Sequence, residues 1–204
     1  MSRVIEKTIY QFSELSDKAK ERARDWYRGC IESDELTDYD YWTAIADVLG
    51  IKFDQRKGSS KPCVWWSGFA SQCDGACFEG HYTYATGSRK AIREYAPRNT
   101  VLHGIADDLA SIQRRYFYQI EAKITHNGHY YHSGMMDIDV YSPTSEYFRS
   151  YPASFDDIKQ PLRDFADWIY KQLNAQNDYL NSDENIDECI EINEYEFDEN
   201  GERI

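Results

Sequence analysis

The segment VWWSGFASQCDGACFEGHYTYA, residues 64–85, predicts a strand–loop–strand unit around which the rest of the chain is organised. Its first half is apolar and rich in residues that favour β-structure, and Gly68 within it indicates a bulge or a close backbone approach. Asp74-Gly75 is the strongest local turn signal, and strand character resumes at Phe78. We therefore predict a hairpin with Phe78, Tyr82 and Tyr84 on its packed side.

Residues 117–141 predict a second hairpin, because apolar and polar side chains alternate on both sides of Asn127-Gly128, a favoured type I′ turn. A two-residue turn at that point pairs His126 with His129. In this register Asp137 of the return strand lies beside Tyr118 on the apolar face. A one-residue bulge near Ser133-Gly134 restores the apolar match, so we predict a bulge there.

Apolar residues recur at helical spacing in several other segments, most of them preceded by a side chain that can cap a helix. The predicted caps are Ser16, Ser88, Thr100 and Ser154, and a short acidic helix is predicted from Ser182 to Glu194. Another helix is predicted to end at Gly50. In residues 51–54 apolar and polar side chains alternate, which predicts an edge strand. Pro161 either follows the start of a regular helix near Gln160 or kinks that helix.

These elements predict an α+β fold: a single domain in which an antiparallel sheet of two hairpins is covered by amphipathic helices. Residues 1–182 are expected to form the core domain. Residues 183–204 are expected to form an acidic segment that packs on the core or extends from it.

The charge of the chain is concentrated near its end. The net charge is −13, from 23 basic and 36 acidic residues, and residues 154–204 alone hold 4 basic and 15 acidic ones. A surface of this sign repels nucleic acid and attracts basic protein surfaces, although acidic residues also serve solubility alone. The predicted partner surface consists of Asp183, Glu184, Asp187, Glu188, Glu191, Glu194 and Glu196.

Composition also bears on location. No apolar run approaches the roughly 20 residues of a membrane span, and the N-terminus, MSRVIEKTIY, lacks the apolar core of a secretory signal. Five scattered cysteines without a disulfide framework indicate a reducing compartment. We therefore expect a cytoplasmic protein that binds no membrane and no nucleic acid directly. Homo-oligomerisation stays open.

The polar groups of the 64–85 unit are the candidate ligand-binding residues: Ser67, Gln72, Asp74, Glu79 and His81. They fit a recognition loop held on rigid strands, and they equally fit a turn whose side chains satisfy their own backbone. No nucleophile and base stand at a recognised catalytic spacing, so no catalytic residue is predicted.

Two sets of residues invite a metal hypothesis, and their spacing argues against both. His129 and His132 stand three apart, which places them on opposite faces of a regular strand. Cys73 and Cys77 are spaced more loosely than a zinc knuckle requires, and no second pair follows. Adding His126 to the histidine set does not complete a metal site, and neither does adding Cys63 and His81 to the cysteine set. We therefore predict no metal and no cofactor.

Four segments carry a resemblance to a known family. They are FSELSDKAKERARDWYR (12–28), WWSGFASQCDGACFEG (65–80), IQRRYFYQIEAKITHNGHYYHS (112–133) and LRDFADWIYKQLNAQNDYLNSDENIDECIEINEYEFDENG (162–201). Together they resemble small acidic proteins that are encoded by phages and prophages and labelled antitoxins of toxin–antitoxin stability systems. The resemblance implies a mobile-element accessory protein that acts inside a bacterial cell, and it transfers no catalytic residue.

Charge and resemblance together favour a non-enzymatic, protein-binding inhibitor, antitoxin-like or directed against a host defence complex such as an antiphage nuclease. The alternative hypothesis is a small-ligand-binding or hydrolytic protein that uses the loop from Ser67 to His81.

Overall fold

The computed structural model describes residues 7–143 and 156–204. The chain forms two compact units: a terminal unit of Met1–Thr37 with Leu173–Ile204, and a central unit of Asp38–Gln172. The predicted α+β class is confirmed, since helices accompany sheets whose strand pairs are all antiparallel in the described residues.

The helices and strands have the following bounds. The helices are α1 Asp17–Arg28, α2 Tyr39–Leu49, α3 Ser88–Tyr95, α4 Thr100–Arg115, α5 Lys159–Leu180 and α6 Asp183–Ile192. The strands are β1 Tyr10–Gln11, β2 Ile51–Phe53, β3 Val64–Ser67, β4 Gly75–Phe78, β5 Gly80–Tyr82, β6 Glu121–His126, β7 Met136–Tyr141 and β8 Glu196–Phe197. No helix among the described residues has both the length and the apolar character needed to cross a bilayer.

The terminal unit packs α1 against α6 and closes with the short antiparallel pair β1–β8. The shared core is formed by Phe12, Leu15, Ala19, Ala23, Ile186, Ile190 and Phe197. The turn before the C-terminus lies directly on α1, because a Cβ at Gly201 would overlap the carbonyl oxygen of Ala19. Gly201 also has a φ of 82°, which glycine adopts without strain.

The sheet of the central unit has the strand order β2-β5-β6-β7, so β2 is an edge strand as predicted. In the β6–β7 pair, Ile124 faces Ile138 and His126 faces Met136. The predicted two-residue turn that pairs His126 with His129 is therefore wrong, and so is the bulge placed at Ser133-Gly134. Nine residues connect the strands, and they end in a 3-10 turn at Ser133–Met135.

Tertiary contacts explain why this connection is long. Tyr131 stacks on Trp65 of β3, with ring centroids 6.4 Å apart and planes 12° apart. A Cβ at Gly75 of β4 would approach the Cα of His132 at 3.1 Å, so β4 and the connecting segment are in close contact. If the two strands paired directly across an Asn127-Gly128 turn, Tyr131 and His132 would belong to the return strand and would lose these contacts. The observed register keeps them and still places apolar residues opposite each other in the ladder.

The β3–β4 hairpin of the central unit pairs Val64 with Phe78 and Ser67 with Gly75. The close approach expected at Gly68 is confirmed, because a Cβ there would overlap the carboxylate of Asp74. Phe78 and Tyr82 are buried as predicted, whereas Tyr84 is only partly buried. Strand character resumes three residues earlier than predicted, because β4 begins at Gly75 and not at Phe78.

The helix caps follow local chemistry. Ser16 Oγ accepts a hydrogen bond from the Ala19 N–H at 3.3 Å, and Gly50 ends α2 in the left-handed conformation, both as predicted. The cap of α4 is Asn99 and not Thr100, since the Asn99 side chain accepts from the Leu102 N–H at 3.2 Å. The predicted cap Ser88 is also wrong, because Ser88 is the first residue of α3 and the cap position before it is Gly87, which has no side chain to accept a bond. Pro161 lies in the first turn of α5, which begins at Lys159. The predicted cap Ser154 lies outside the described residues.

Candidate functional site

The two aspartates of the predicted partner surface form ion pairs with α1 inside the terminal unit. Arg24 binds Asp187 through two hydrogen bonds of 2.7 Å, from Nε to Oδ1 and from Nη2 to Oδ2. Arg28 donates to Asp183 with Nη2 and to Asp25 at 2.7 Å with Nη1. Hydrogen bonding to Asp187 raises the pKa of Arg24, so its guanidinium stays charged. Asp183 and Asp187 therefore fix α6 on α1 and are neutralised by the chain itself.

The five glutamates of the predicted surface remain exposed. We call Glu184, Glu188, Glu191, Glu194 and Glu196 the glutamate face. Within residues 7–143 and 156–204, none of their carboxylates forms an ion pair. The first three stand at i, i+4 and i+7 and so lie on one side of α6. The negative charge here is thus available to solvent or to a partner.

One cation lies near the end of the glutamate face without neutralising it. Arg203 donates from Nη1 to the carbonyl oxygen of Glu196 at 3.3 Å. Its guanidinium lies 4.9 Å from the ring centre of Tyr195 and 5.8 Å from that of Trp26. Arg203 therefore binds two backbone oxygens, those of Glu196 and Ile204, and two aromatic rings, and it leaves the carboxylate of Glu196 unpaired.

In the 64–85 unit, Asp74 serves its own turn. Its Oδ2 accepts hydrogen bonds from the N–H groups of Ala70 at 2.9 Å and Ser71 at 2.6 Å. Phe69 in the same loop stacks against Trp66 and Tyr170, with ring centroids 5.4 and 5.7 Å apart. The loop is thus held by side-chain-to-backbone bonds and by aromatic packing.

The other candidate ligand residues of this unit have separate surroundings. Glu79 Oε1 accepts from the His126 N–H at 3.1 Å, and His81 Nε2 lies 3.8 Å from Asp54 Oδ1 with both side chains about half exposed. Among the described residues, the side chains of Ser67 and Gln72 form no hydrogen bond. The five groups therefore have no common partner, and their geometry assembles neither a nucleophile–base pair nor a ligand cage.

The two buried cysteines of the central unit, Cys63 and Cys77, behave as packing residues. Burial, with a smaller effect of Glu79, raises the pKa of Cys77 to about 12, and burial also raises the pKa of Cys63. Both thiols are therefore protonated near neutral pH, which removes the nucleophilic form. Within the described part of the chain, no group of three or more His, Cys, Asp or Glu side chains has a metal-binding arrangement.

Sequence reasoning missed the role of Arg24 and Arg28, although a signal was present. The two arginines stand at i and i+4 on α1, and Asp183 and Asp187 stand at i and i+4 on α6. Side chains with this spacing share a helix face. Two predicted helices with matching spacing and opposite charge predict an ion-pair ladder, provided the helices are known to pack together.

Comparison with known proteins gives one match. A family model described as "Domain of unknown function (DUF8835)" matches residues 36–183. No curated protein matches this chain, and no solved structure does. The matched range contains the whole central unit and ends at the first residue of α6, so the glutamate face lies outside it.

Proposed function

Because this chain belongs to the DUF8835 family, whose function is unknown, we propose its function from its own surfaces: it binds a protein with a basic surface and inhibits that protein without catalysis. The role is of the antitoxin-like or anti-defence type that the sequence resemblance implies, and the target is a bacterial toxin or nuclease complex. The glutamate face forms the docking surface.

The observation that carries the proposal is the contrast between paired and unpaired carboxylates on α6. Asp183 and Asp187 are bound by arginines of α1, whereas the glutamate face has no ion pair in the described chain. The ion pairs hold the helix in place, so the glutamates are presented from a preorganised element. Preorganisation lowers the entropic cost of binding.

The distribution of charge supports the same function. The terminal unit holds 19 acidic and 8 basic residues, whereas the central unit holds 17 and 15. The field of the terminal unit therefore attracts basic surfaces and accelerates their association at low ionic strength. The 64–85 segment supports the alternative less well. Asp74 accepts bonds from backbone N–H groups of its own loop, and Glu79 accepts from the backbone N–H of His126 on β6.

Affinity capture from a bacterial lysate tests the proposal. The full chain is immobilised at low and at high salt, and the bound proteins are identified by mass spectrometry. We expect a basic protein that is retained at low salt, released at high salt and inhibited in its own activity by the purified chain. A variant in which all five glutamates of the face become glutamine should lose this protein.

The matched control removes the same charge elsewhere. A variant with Asp40, Asp47, Glu121, Asp137 and Asp139 changed to the corresponding amides loses five negative charges from the central unit. We expect this control to retain the partner and the inhibition. Equal loss in both variants contradicts a localised docking surface, and a captured protein whose activity is unaffected contradicts the inhibitor function.

A further inference from the structure

A groove in the central unit lies between α4 and α5 and carries excess negative charge. Its volume is about 270 Å³, and its walls are Val101, Gly104, Ile105 and Asp108 of α4 with Asp164, Asp167, Trp168 and Lys171 of α5. Typical small-molecule pockets occupy roughly 300–1,000 Å³. The groove is therefore suited to a single side chain of a partner, and it is small for a cofactor.

The floor of the groove is open because Gly104, in the N-terminal half of α4, has no side chain. A Cβ at Gly104 would meet no atom within 4 Å, so neighbouring packing does not require a glycine there. Glycine destabilises a helix interior relative to alanine. Beside it, the side chain of Val101 is 46% exposed, and Trp168 closes the other wall with only 2% of its surface exposed. The floor is thus apolar and accessible.

The carboxylates on the rim have few partners. Within the described residues, Asp108 and Asp167 form no hydrogen bond or ion pair through their side chains, and Asp164 accepts one bond of 2.8 Å from Gln160 Nε2. Lys171 lines the same groove and forms no ion pair with any of the three. The rim therefore holds three carboxylates that form no ion pair within the described chain.

The adjacent aspartate of α4 provides a comparison. Asp107 is bound by Arg89 Nε at 2.6 Å and by Arg93 Nη2 at 2.7 Å, and both arginines belong to the helix before it. Asp107 and Asp108 are consecutive, so they project from different sides of α4. The side toward α3 has its arginines, whereas the side that lines the groove has none among the described residues.

We propose that this groove binds an arginine side chain of a partner protein. The aliphatic part of the arginine lies over Gly104 and Val101, and its guanidinium pairs with the rim aspartates. Arginine suits the site because its planar, weakly hydrated guanidinium binds carboxylates in a bidentate manner. The groove lies within the range matched by the family model and is distinct from the glutamate face. It does not depend on the function proposed above.

Nuclear magnetic resonance titration tests the site directly. The ¹⁵N-labelled full chain is titrated with the peptide acetyl-Gly-Arg-Gly-amide and with its citrulline analogue, which has the same shape and no charge. We expect saturable shifts at Gly104, Asp108 and the Trp168 indole with the arginine peptide, and at least tenfold weaker binding of the analogue. Equal binding of both peptides, or shifts confined to other residues, overturns the proposal.

Variants separate this site from general charge attraction. Changing Asp108 and Asp167 to asparagine should weaken the arginine peptide at least tenfold, and Gly104→Leu should do the same by filling the floor. The matched control, Glu94→Gln with Glu121→Gln, removes two charges from the central unit outside the groove and should leave the affinity unchanged. Thermal unfolding verifies that each variant is folded. If Gly104→Leu does not fold, the Asp108→Asn and Asp167→Asn double variant alone tests the site.

Two outcomes contradict the site: undiminished binding in the asparagine pair, and an equal loss in the glutamine control. The titration is also independent of the capture experiment. If the arginine peptide binds and no inhibited target is captured, the arginine site is supported and the inhibitor function is contradicted. If a target is captured and the peptide does not bind, only the arginine site is contradicted.

Discussion

Arg24 and Asp187 form a two-point ion pair between α1 and α6, with N···O distances of 2.7 Å at both points, although the two residues are 163 positions apart in the chain. The side chain of Arg24 is 19% exposed and that of Asp187 is 31% exposed. Both groups are thus partly shielded from solvent, and their mutual orientation is fixed. This pair joins the two ends of the chain into the terminal unit.

We predict that Asp187→Asn lowers the free energy of unfolding by about 1 kcal/mol, the upper end of the range for ion pairs that keep some contact with solvent. Urea denaturation measures the change, and a double-mutant cycle with Arg24→Ala isolates the pairwise energy. Glu188→Gln on the same helix is the control and should be neutral. A coupling energy near zero in the cycle would contradict the anchoring role of the pair.

Gln113 is buried and substitutes for a strand partner at the start of β6. Its Nε2 donates to the carbonyl oxygen of Ile120 at 2.7 Å, and its Oε1 accepts from the N–H of the same residue at 3.3 Å. Gln113→Leu leaves both backbone groups buried and unpaired, so we predict a loss of about 2–3 kcal/mol of unfolding free energy. Gln72→Leu at an exposed position is the control. Equal melting temperatures of the two variants would contradict the assignment.

Salt bridges on α4 predict an acid-side loss of stability. Arg93, with Arg89, lowers the pKa of Asp107 below its usual range. A carboxylate whose pKa is depressed by folding stabilises the folded state above its unfolded pKa, and this contribution disappears as the pH falls through the folded pKa. Stability should therefore decrease below about pH 4, and Asp107→Asn should flatten that decrease. Unfolding curves between pH 2 and pH 6 provide the measurement, with Asp108→Asn as the unpaired control; an unchanged slope in Asp107→Asn would contradict the assignment.

Local chemistry was readable from the sequence, and long-range pairing was not. Ser16 and Gly50 were identified as caps because a capping bond depends on residues within one helical turn. The register of β6 and β7 was missed because the Asn127-Gly128 turn signal is overridden by Tyr131, which stacks on Trp65 of another hairpin. Trp65 is too far from this turn in the chain for a local sequence pattern to include both.

The candidate sites show the same division. The concentration of negative charge predicts a partner surface that includes the glutamates of α6, but the neutralisation of Asp183 and Asp187 depends on which helix packs beside them. The groove between α4 and α5 brings together Asp108 and Asp167, which are distant in sequence. Neither aspartate alone indicates a binding site. Only the packing of the two helices brings them to one rim.

Asp74 distinguishes a structural turn from a ligand loop. A ligand site predicts that Asp74→Ala abolishes activity without a change in melting temperature. The bonds to the Ala70 and Ser71 N–H groups predict instead a loss of about 1 kcal/mol of unfolding free energy. Asp74→Asn keeps one acceptor oxygen and should be milder. Thermal unfolding decides, and an unchanged melting temperature in Asp74→Ala would revive the ligand hypothesis.

Thiol labelling tests the burial of the β3–β4 hairpin. Cys30 and Cys73 are exposed, whereas Cys63 and Cys77 are buried and have raised pKa values, that of Cys77 being about 12. A higher pKa lowers the thiolate fraction at a given pH, and the thiolate is the form that reacts. Iodoacetamide at pH 8 should therefore modify Cys30 and Cys73 in the folded protein, and Cys63 and Cys77 only after urea unfolding. Peptide mass spectrometry assigns each site. Rapid labelling of Cys77 in the folded chain would mean that β4 separates from its neighbours on the timescale of the reaction, which contradicts a rigid hairpin.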